Sequence, residues 1–125
     1  MDRKTAIPNF DSPDALAWLE AASTQELDAL PFGAIQMAAR GLVTAYNAWE
    51  SEKAGLSKDR VLQRNFFADV APCMNNYLVA ERFLAEPELD VMLDYILTLR
   101  MAPTPVRLRL LKSSAAQHMY LLVKR

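Results

Sequence analysis

A phenol, a carboxyl and a thiol are the groups in this sequence whose types and spacing could do chemistry together: Tyr46, Glu50 and Cys73. Tyr46 and Glu50 stand four positions apart. If a helix begins between them, both side chains project from one face a turn apart, and two hydrogen-bond donors can converge on one acceptor. Glu50 donates only when protonated, which requires burial, because desolvation disfavours the charged carboxylate. A solvated surface acid beside a packing tyrosine satisfies the same spacing. Cys73 is the single cysteine and follows Pro72 in the stretch FFADVAPC, 66–73. Proline fixes its own φ and pushes Ala71 toward extended backbone, so the thiol is expected on a connector rather than inside a helix. Free cysteine is most often a small buried hydrophobe. Cysteine hydrolysis would need a base, and the one histidine, His118, falls in a distant predicted strand. The residues alone leave both readings of Cys73 open.

The elements around these positions follow from pattern. Ser12-Pro13-Asp14 reads as a helix start, with serine capping and proline at the first helical position. Ser23-Thr24-Gln25-Glu26 has the form of a capping box. The runs 32–39 and 42–46, separated by Arg40-Gly41, predict a β-hairpin, and 47–55 and 57–63 predict short polar helices stopped at Gly55 and capped by Ser57. Asn75 and Asn76 are placed to cap a helix over 77–86, which Pro87 ends. From Val91 to Met101 apolar residues alternate with period two, predicting a long strand, and 106–110 and 118–124 predict two more. The sum is an α+β domain: a five-stranded antiparallel sheet with flanking helices, gathered on one face, and a helical segment ahead of the first strand.

Composition removes several function classes. The 125 residues suit one domain; 52% are hydrophobic and 23% charged, which is globular usage. Fourteen basic against fifteen acidic side chains give a net charge of −1, without the basic footprint of a nucleic-acid binder. One cysteine and one histidine provide neither an internal disulfide nor a multi-ligand zinc site. No apolar run reaches the roughly 18 residues of a membrane span. A cytoplasmic, soluble protein is expected, as a monomer or a dimer.

Leu30-Pro31-Phe32-Gly33-Ala34-Ile35-Gln36, then Tyr46-Asn47-Ala48 with Glu50, then Asn65-Phe66-Phe67 through Asp69-Val70-Ala71-Pro72-Cys73 closely resemble the photoactive yellow protein family within the PAS sensor domains. The closing Met101-Ala102-Pro103-Thr104 and Val123-Lys124-Arg125 match as well. The resemblance implies a PAS fold with an N-terminal cap (1–30) on a PAS core (31–125), and a blue-light photoreceptor rather than an enzyme. It implies p-coumaric acid (4-hydroxycinnamic acid) held as a thioester on Cys73, its buried phenolate accepting hydrogen bonds from Tyr46 and a protonated Glu50. Light isomerises the double bond in that family, the glutamate yields its proton, and the cap loosens. Phe66, Leu97, Leu99, Ala54 and Leu56 then fall around the chromophore, Met101 beside it as an aid to recovery, and Phe10 with Lys124 on a cap-to-sheet contact.

Some positions depart from the family pattern. Ala54 stands where a threonine commonly supports the tyrosine, Leu56 where an arginine often covers the chromophore, and Leu97 and Leu99 where aromatics are common. These positions bear on colour and cycle speed. They also admit an alternative, a PAS module that binds a small ligand or protein without a functional chromophore. The downstream signalling partner is not named by any residue.

Overall fold

The computed structural model describes residues 7–98 and 102–125. Two short helices, α1 (Ala15–Ala21) and α2 (Thr24–Asp28), precede the first hairpin, β1 (Gly33–Met37) and β2 (Val43–Tyr46). Helices α3 (Ala48–Ala54), α4 (Lys58–Val61) and α5 (Ala80–Ala85) follow, then strands β3 (Leu89–Leu97), β4 (Thr104–Lys112) and β5 (Met119–Lys124). The five strands form one antiparallel sheet in the order β2-β1-β5-β4-β3. β5 therefore sits centrally, beside β1 from the other end of the chain.

Helices cover both faces of this sheet rather than one. Ile35, Met37, Leu108, Leu110, Leu121 and Val123 turn to the larger core with Val61, Phe66, Phe67 and Phe83. Ala34, Leu111, Tyr120 and Leu122 turn the other way, onto Phe10, Ala15, Leu19, Leu27 and Leu30 of the N-terminal segment. The strict alternation of side chains along a strand makes this division possible, and a sheet buried on both sides reads as a nearly continuous apolar run. β5, with Met119 to Val123 all buried, is such a run.

Arg109 is the polar exception in this second layer, only 2% exposed. Its guanidinium grips Asp90 in a two-pronged fork at 2.9 and 3.0 Å, while Nη1 donates to the carbonyls of Phe10 and Ser12 at 2.9 and 2.8 Å. A buried cation is tolerated because its donors are satisfied, and here they tether the N-terminal segment to the sheet.

Several boundaries differ from the pattern reading. The capping box forms as expected, Ser23 Oγ accepting from Glu26 N and Glu26 Oε1 from Ser23 N. Ser12 does not cap α1; its Oγ accepts from Asn9 N in a preceding turn, and the helix starts after Asp14. Asn76 Oδ1 accepts from Leu78 N and Val79 N, turning the chain before α5, so the helix is shorter than 77–86. β3 ends at Leu97, and Leu99 and Met101 lie outside the described residues. Phe10 meets Phe32 edge-to-face at 5.7 Å; Lys124 only lines the same crevice, so no aromatic–cation pair forms there among the described residues.

Candidate functional site

The site is built from the α3 side of the sheet. Asn47 starts that helix, and its buried side chain uses every hydrogen-bonding position it has. Oδ1 accepts from Glu50 N at 3.2 Å and from Ala34 N at 3.0 Å. Nδ2 donates to Leu27 O and Phe32 O, both at 2.9 Å. One residue thus caps α3, fastens it to β1 and ties both to the end of the N-terminal segment. At the far end Gly55 takes φ 73°, the left-handed conformation that closes a helix.

Glu50, in the first turn so fixed, is 3% exposed. Its carboxylate lies against Gly33 of β1: a Cβ there would overlap Glu50 Oε1 and stand 3.2 Å from Glu50 Cβ and Cδ. Glycine at 33 is therefore the condition for the acid to sit where it does. Arg125 Nη2 donates to Oε2 at 2.8 Å from a side chain 18% exposed. Oε1 has no hydrogen-bond partner among the described residues. Burial pushes the Glu50 carboxyl up to about 7, against the opposing charge and hydrogen bond of Arg125. A carboxyl titrating near neutrality can hold or release a proton with little driving force either way.

Tyr46, the last residue of β2, is 3% exposed and close enough to Glu50 to feel its charge. Burial first, then that charge, raise the phenol well above its ordinary range, with Arg125 opposing. The Tyr46 hydroxyl thus keeps its proton. Tyr46 ends β2 while Glu50 sits in the first turn of α3, and both are buried.

Cys73 occupies a short 3-10 turn, Pro72–Met74, after a π-helical turn at Phe66–Val70. FFADVAPC is thus a connector of two tight turns, not a strand. Asn65 opens it, its Oδ1 accepting from Phe67 N and Ala68 N. The thiol is half-buried and packs against the larger core, which also holds Tyr46, Phe66 and Leu97, with Leu56 at its margin. Ala54 is buried on α3. The backbone of Cys73 is pinned from β3: Tyr95 Oη donates to Cys73 O at 2.6 Å, and Asn76 Nδ2 donates to Tyr95 Oη at 2.7 Å and to Cys73 O at 3.2 Å.

Sequence reasoning missed three members of this arrangement: Asn47 as an anchor, Tyr95 as the clamp on Cys73, and Arg125 as the partner of Glu50. Asn47 carried a legible signal, an N-cap residue ahead of a polar helix. Arg125 also had one, since it stands two residues beyond Val123 and alternation sends it to the same face. An open groove of about 750 Å³ is lined in part by Tyr95, Arg125, Leu78 and Val106. The thiol clamp and the acid's partner therefore border one space.

No family model matches the chain. Photoactive yellow protein of Halochromatium salexigens is 37% identical over 122 residues, 95% of this chain and 98% of that protein. Photoactive yellow protein of Rhodothalassium salexigens is 36% identical over 103 residues, 80% of this chain and 82% of that protein. Among solved structures, the photoactive yellow protein domain from the sensor histidine kinase Ppr of Rhodospirillum centenum superposes with a TM-score of 0.79 at 34% identity, covering 87% of this chain and 98% of that domain. The PAS domain of an HTR-like protein from Haloarcula marismortui, at 14% identity and a TM-score of 0.59, shares the fold. With relatives this similar along nearly the full chain, and a PAS sheet beneath the site, the protein belongs to the photoactive yellow protein family of PAS-domain photoreceptors.

Proposed function

We propose that this chain is a blue-light photoreceptor that carries p-coumaric acid as a thioester on Cys73 and signals by a conformational change. The observation that carries the reading is Glu50 Oε1, a buried carboxyl oxygen with no hydrogen-bond partner among the described residues. Buried polar atoms are rarely left unpaired without a functional reason. A phenolic oxygen is the kind of acceptor that a protonated Oε1 and the Tyr46 hydroxyl can share. This donor set therefore fits the group.

When bound, the p-coumaroyl group supplies visible absorption and a light-isomerisable double bond. The chain's own residues do the rest. Cys73 offers its sulfur from a turn whose carbonyl Tyr95 and Asn76 hold, so the attachment point is rigid. Tyr46 donates permanently, because burial keeps its proton on. Glu50 holds a transferable proton, because burial brings its carboxyl close to neutrality. Phe66, Leu97 and Ala54, all buried, and Leu56 at the margin of the core exclude water from the site. Loss of the Glu50 proton changes the charge balance between that carboxyl and Arg125, and Asn47 links the helix to Leu27 and Phe32 at the base of the N-terminal segment. That is a route from a local charge change to the cap, the switch logic of a two-state element.

The protein acts as a cytoplasmic receptor rather than an enzyme, passing its signal to a separate signalling protein. Support for a signalling partner comes from the Rhodospirillum centenum relative, which is a domain of a sensor histidine kinase. Among the described residues no helix is long and apolar enough to cross a membrane.

The test is reconstitution. Purified apoprotein mixed with activated p-coumaroyl thioester or anhydride should gain one acyl group by intact mass and a visible absorption band. Cys73→Ser should show neither. A chain that takes no adduct, or gains mass without a visible band, is a PAS ligand or interaction module instead.

A further inference from the structure

Arg125 is the one charged side chain bonded to Glu50 among the described residues, and it arrives from the far end of the chain. The register explains its arrival. Gly33 pairs with Val123 across β1 and β5, so the residue two beyond Val123 leaves the sheet beside the start of β1, on the larger-core face where Glu50 lies over Gly33. Its guanidinium bonds one carboxyl oxygen, Oε2, and leaves Oε1 without a partner. The two oxygens are therefore inequivalent. A carboxyl already accepting from a cation at one oxygen carries its proton on the other, because a cation's hydrogen and an acid's hydrogen compete for the same lone pairs.

We propose that Arg125 is the fixed counter-charge of Glu50, holding Oε2 in both protonation states so that release of the Oε1 proton leaves a buried ion pair instead of a lone anion. This rests on the reading of Glu50 as the proton donor of the site. In the step, the O–H bond at Oε1 breaks, its electron pair stays on the carboxylate, and in the chromophore-free protein the proton passes to water or hydroxide. The site changes from a neutral acid beside a cation to a carboxylate beside a cation. Breaking up a buried pair by removing one partner leaves an uncompensated charge, which is far costlier than the pair itself. Arg125 is thus a positioning residue that governs how readily Glu50 yields its proton and how long its charged form lasts. Among the described residues, Tyr46 from β2, which stays protonated, also couples to Glu50, while Asp28, which accepts from Ala48 N at the start of α3, is matched by Lys58 at 2.7 Å.

The experiment is a pH titration of Glu50 in chromophore-free protein, followed by its carboxyl infrared band and assigned by the loss of that band in Glu50→Gln. Wild type should titrate near 7. Arg125→Gln should move the midpoint upward by about one unit or more, a roughly tenfold gain in proton affinity. Arg125→Lys keeps the charge and should recover most of the shift. An Arg125→Gln midpoint within about 0.3 units of wild type, in protein whose circular dichroism is unchanged, overturns the proposal. If Arg125→Gln does not fold, the Arg125→Lys midpoint decides: unchanged or slightly raised supports the counter-charge, and lowered contradicts it. The titration needs no chromophore, so it can fail while reconstitution succeeds, or succeed while reconstitution fails. In reconstituted protein the same substitution should speed dark recovery, because the ionised Glu50 loses its partner.

Discussion

Gly33 of β1 lies so close to Glu50 of α3 that a methyl group at residue 33 cannot coexist with the observed carboxyl position. The two are held in this relation by Asn47, which bonds both the strand and the helix. Gly33→Ala should therefore force the Glu50 side chain aside. Overpacking of this kind costs about 1–3 kcal/mol, which urea unfolding would measure. The Glu50 titration midpoint should move with it, whereas a change in stability alone would indicate that the carboxyl had not been displaced.

The buried carboxyl makes stability depend on pH in a definite direction. Glu50 titrates at about 7 in the folded protein against an ordinary value of 4.5. Below the lower value both states are protonated. Between the two the unfolded chain releases a proton that the folded chain keeps, so stability falls as pH rises, and above about 7 the loss is complete. The shift corresponds to a loss on the order of 3 kcal/mol. Glu50→Gln should remove that component, seen as a flatter profile of unfolding free energy against pH than wild type gives.

Asn47→Ala should be among the more damaging single changes on this side of the sheet. It removes a helix cap and leaves buried Ala34 N, Leu27 O and Phe32 O without their partner. A lost cap costs about 1 kcal/mol and each unsatisfied buried group about 1–3 kcal/mol, so the sum should exceed about 3 kcal/mol in denaturant unfolding.

Glu20 fastens the N-terminal segment to the sheet from a different direction. Its carboxylate accepts from Tyr120 Oη at 2.8 Å and Gln117 N at 2.8 Å, and meets His118 Nδ1 at 3.0 Å. Burial pushes its carboxyl upward, but the bonds from Gln117, Tyr120 and His118 together outweigh this and leave it below its ordinary value. A depressed pKa stabilises the fold above the ordinary carboxyl value of 4.5 and ceases to as pH falls through the folded value. Limited proteolysis of the segment before β1 should therefore accelerate in acid. Glu20→Gln should make that segment cleave faster at neutral pH, with β-sheet circular dichroism preserved.

The sequence carried the local structure well and the long-range contacts poorly. The capping box at Ser23, the left-handed stop at Gly55 and the alternation through β3 are short-range signals, and all three appear. The short helix that carries Glu50 was legible from its polar run and its glycine stop. Tyr95 on Cys73 and Arg125 on Glu50 were not, because each depends on which strands become neighbours and in what register. Arg109 shows the same limit. Alternation along β4 sets it on the face opposite Leu108 and Leu110, which lies beneath the N-terminal segment, where its guanidinium makes four hydrogen bonds. The π-helical turn at 66–70 has no periodicity of its own; side-chain capping by Asn65 and core burial of Phe66 and Phe67 set it.

The central claim is that Cys73, Tyr46 and Glu50 together make a light-driven site. The most direct measurement is the visible spectrum of p-coumaroyl-loaded protein before, during and after blue illumination. The account predicts that the visible band bleaches in blue light and returns in darkness, with the kinetics altered by Glu50→Gln and the band absent in Cys73→Ser. A loaded protein whose visible band is unchanged by blue light would contradict it.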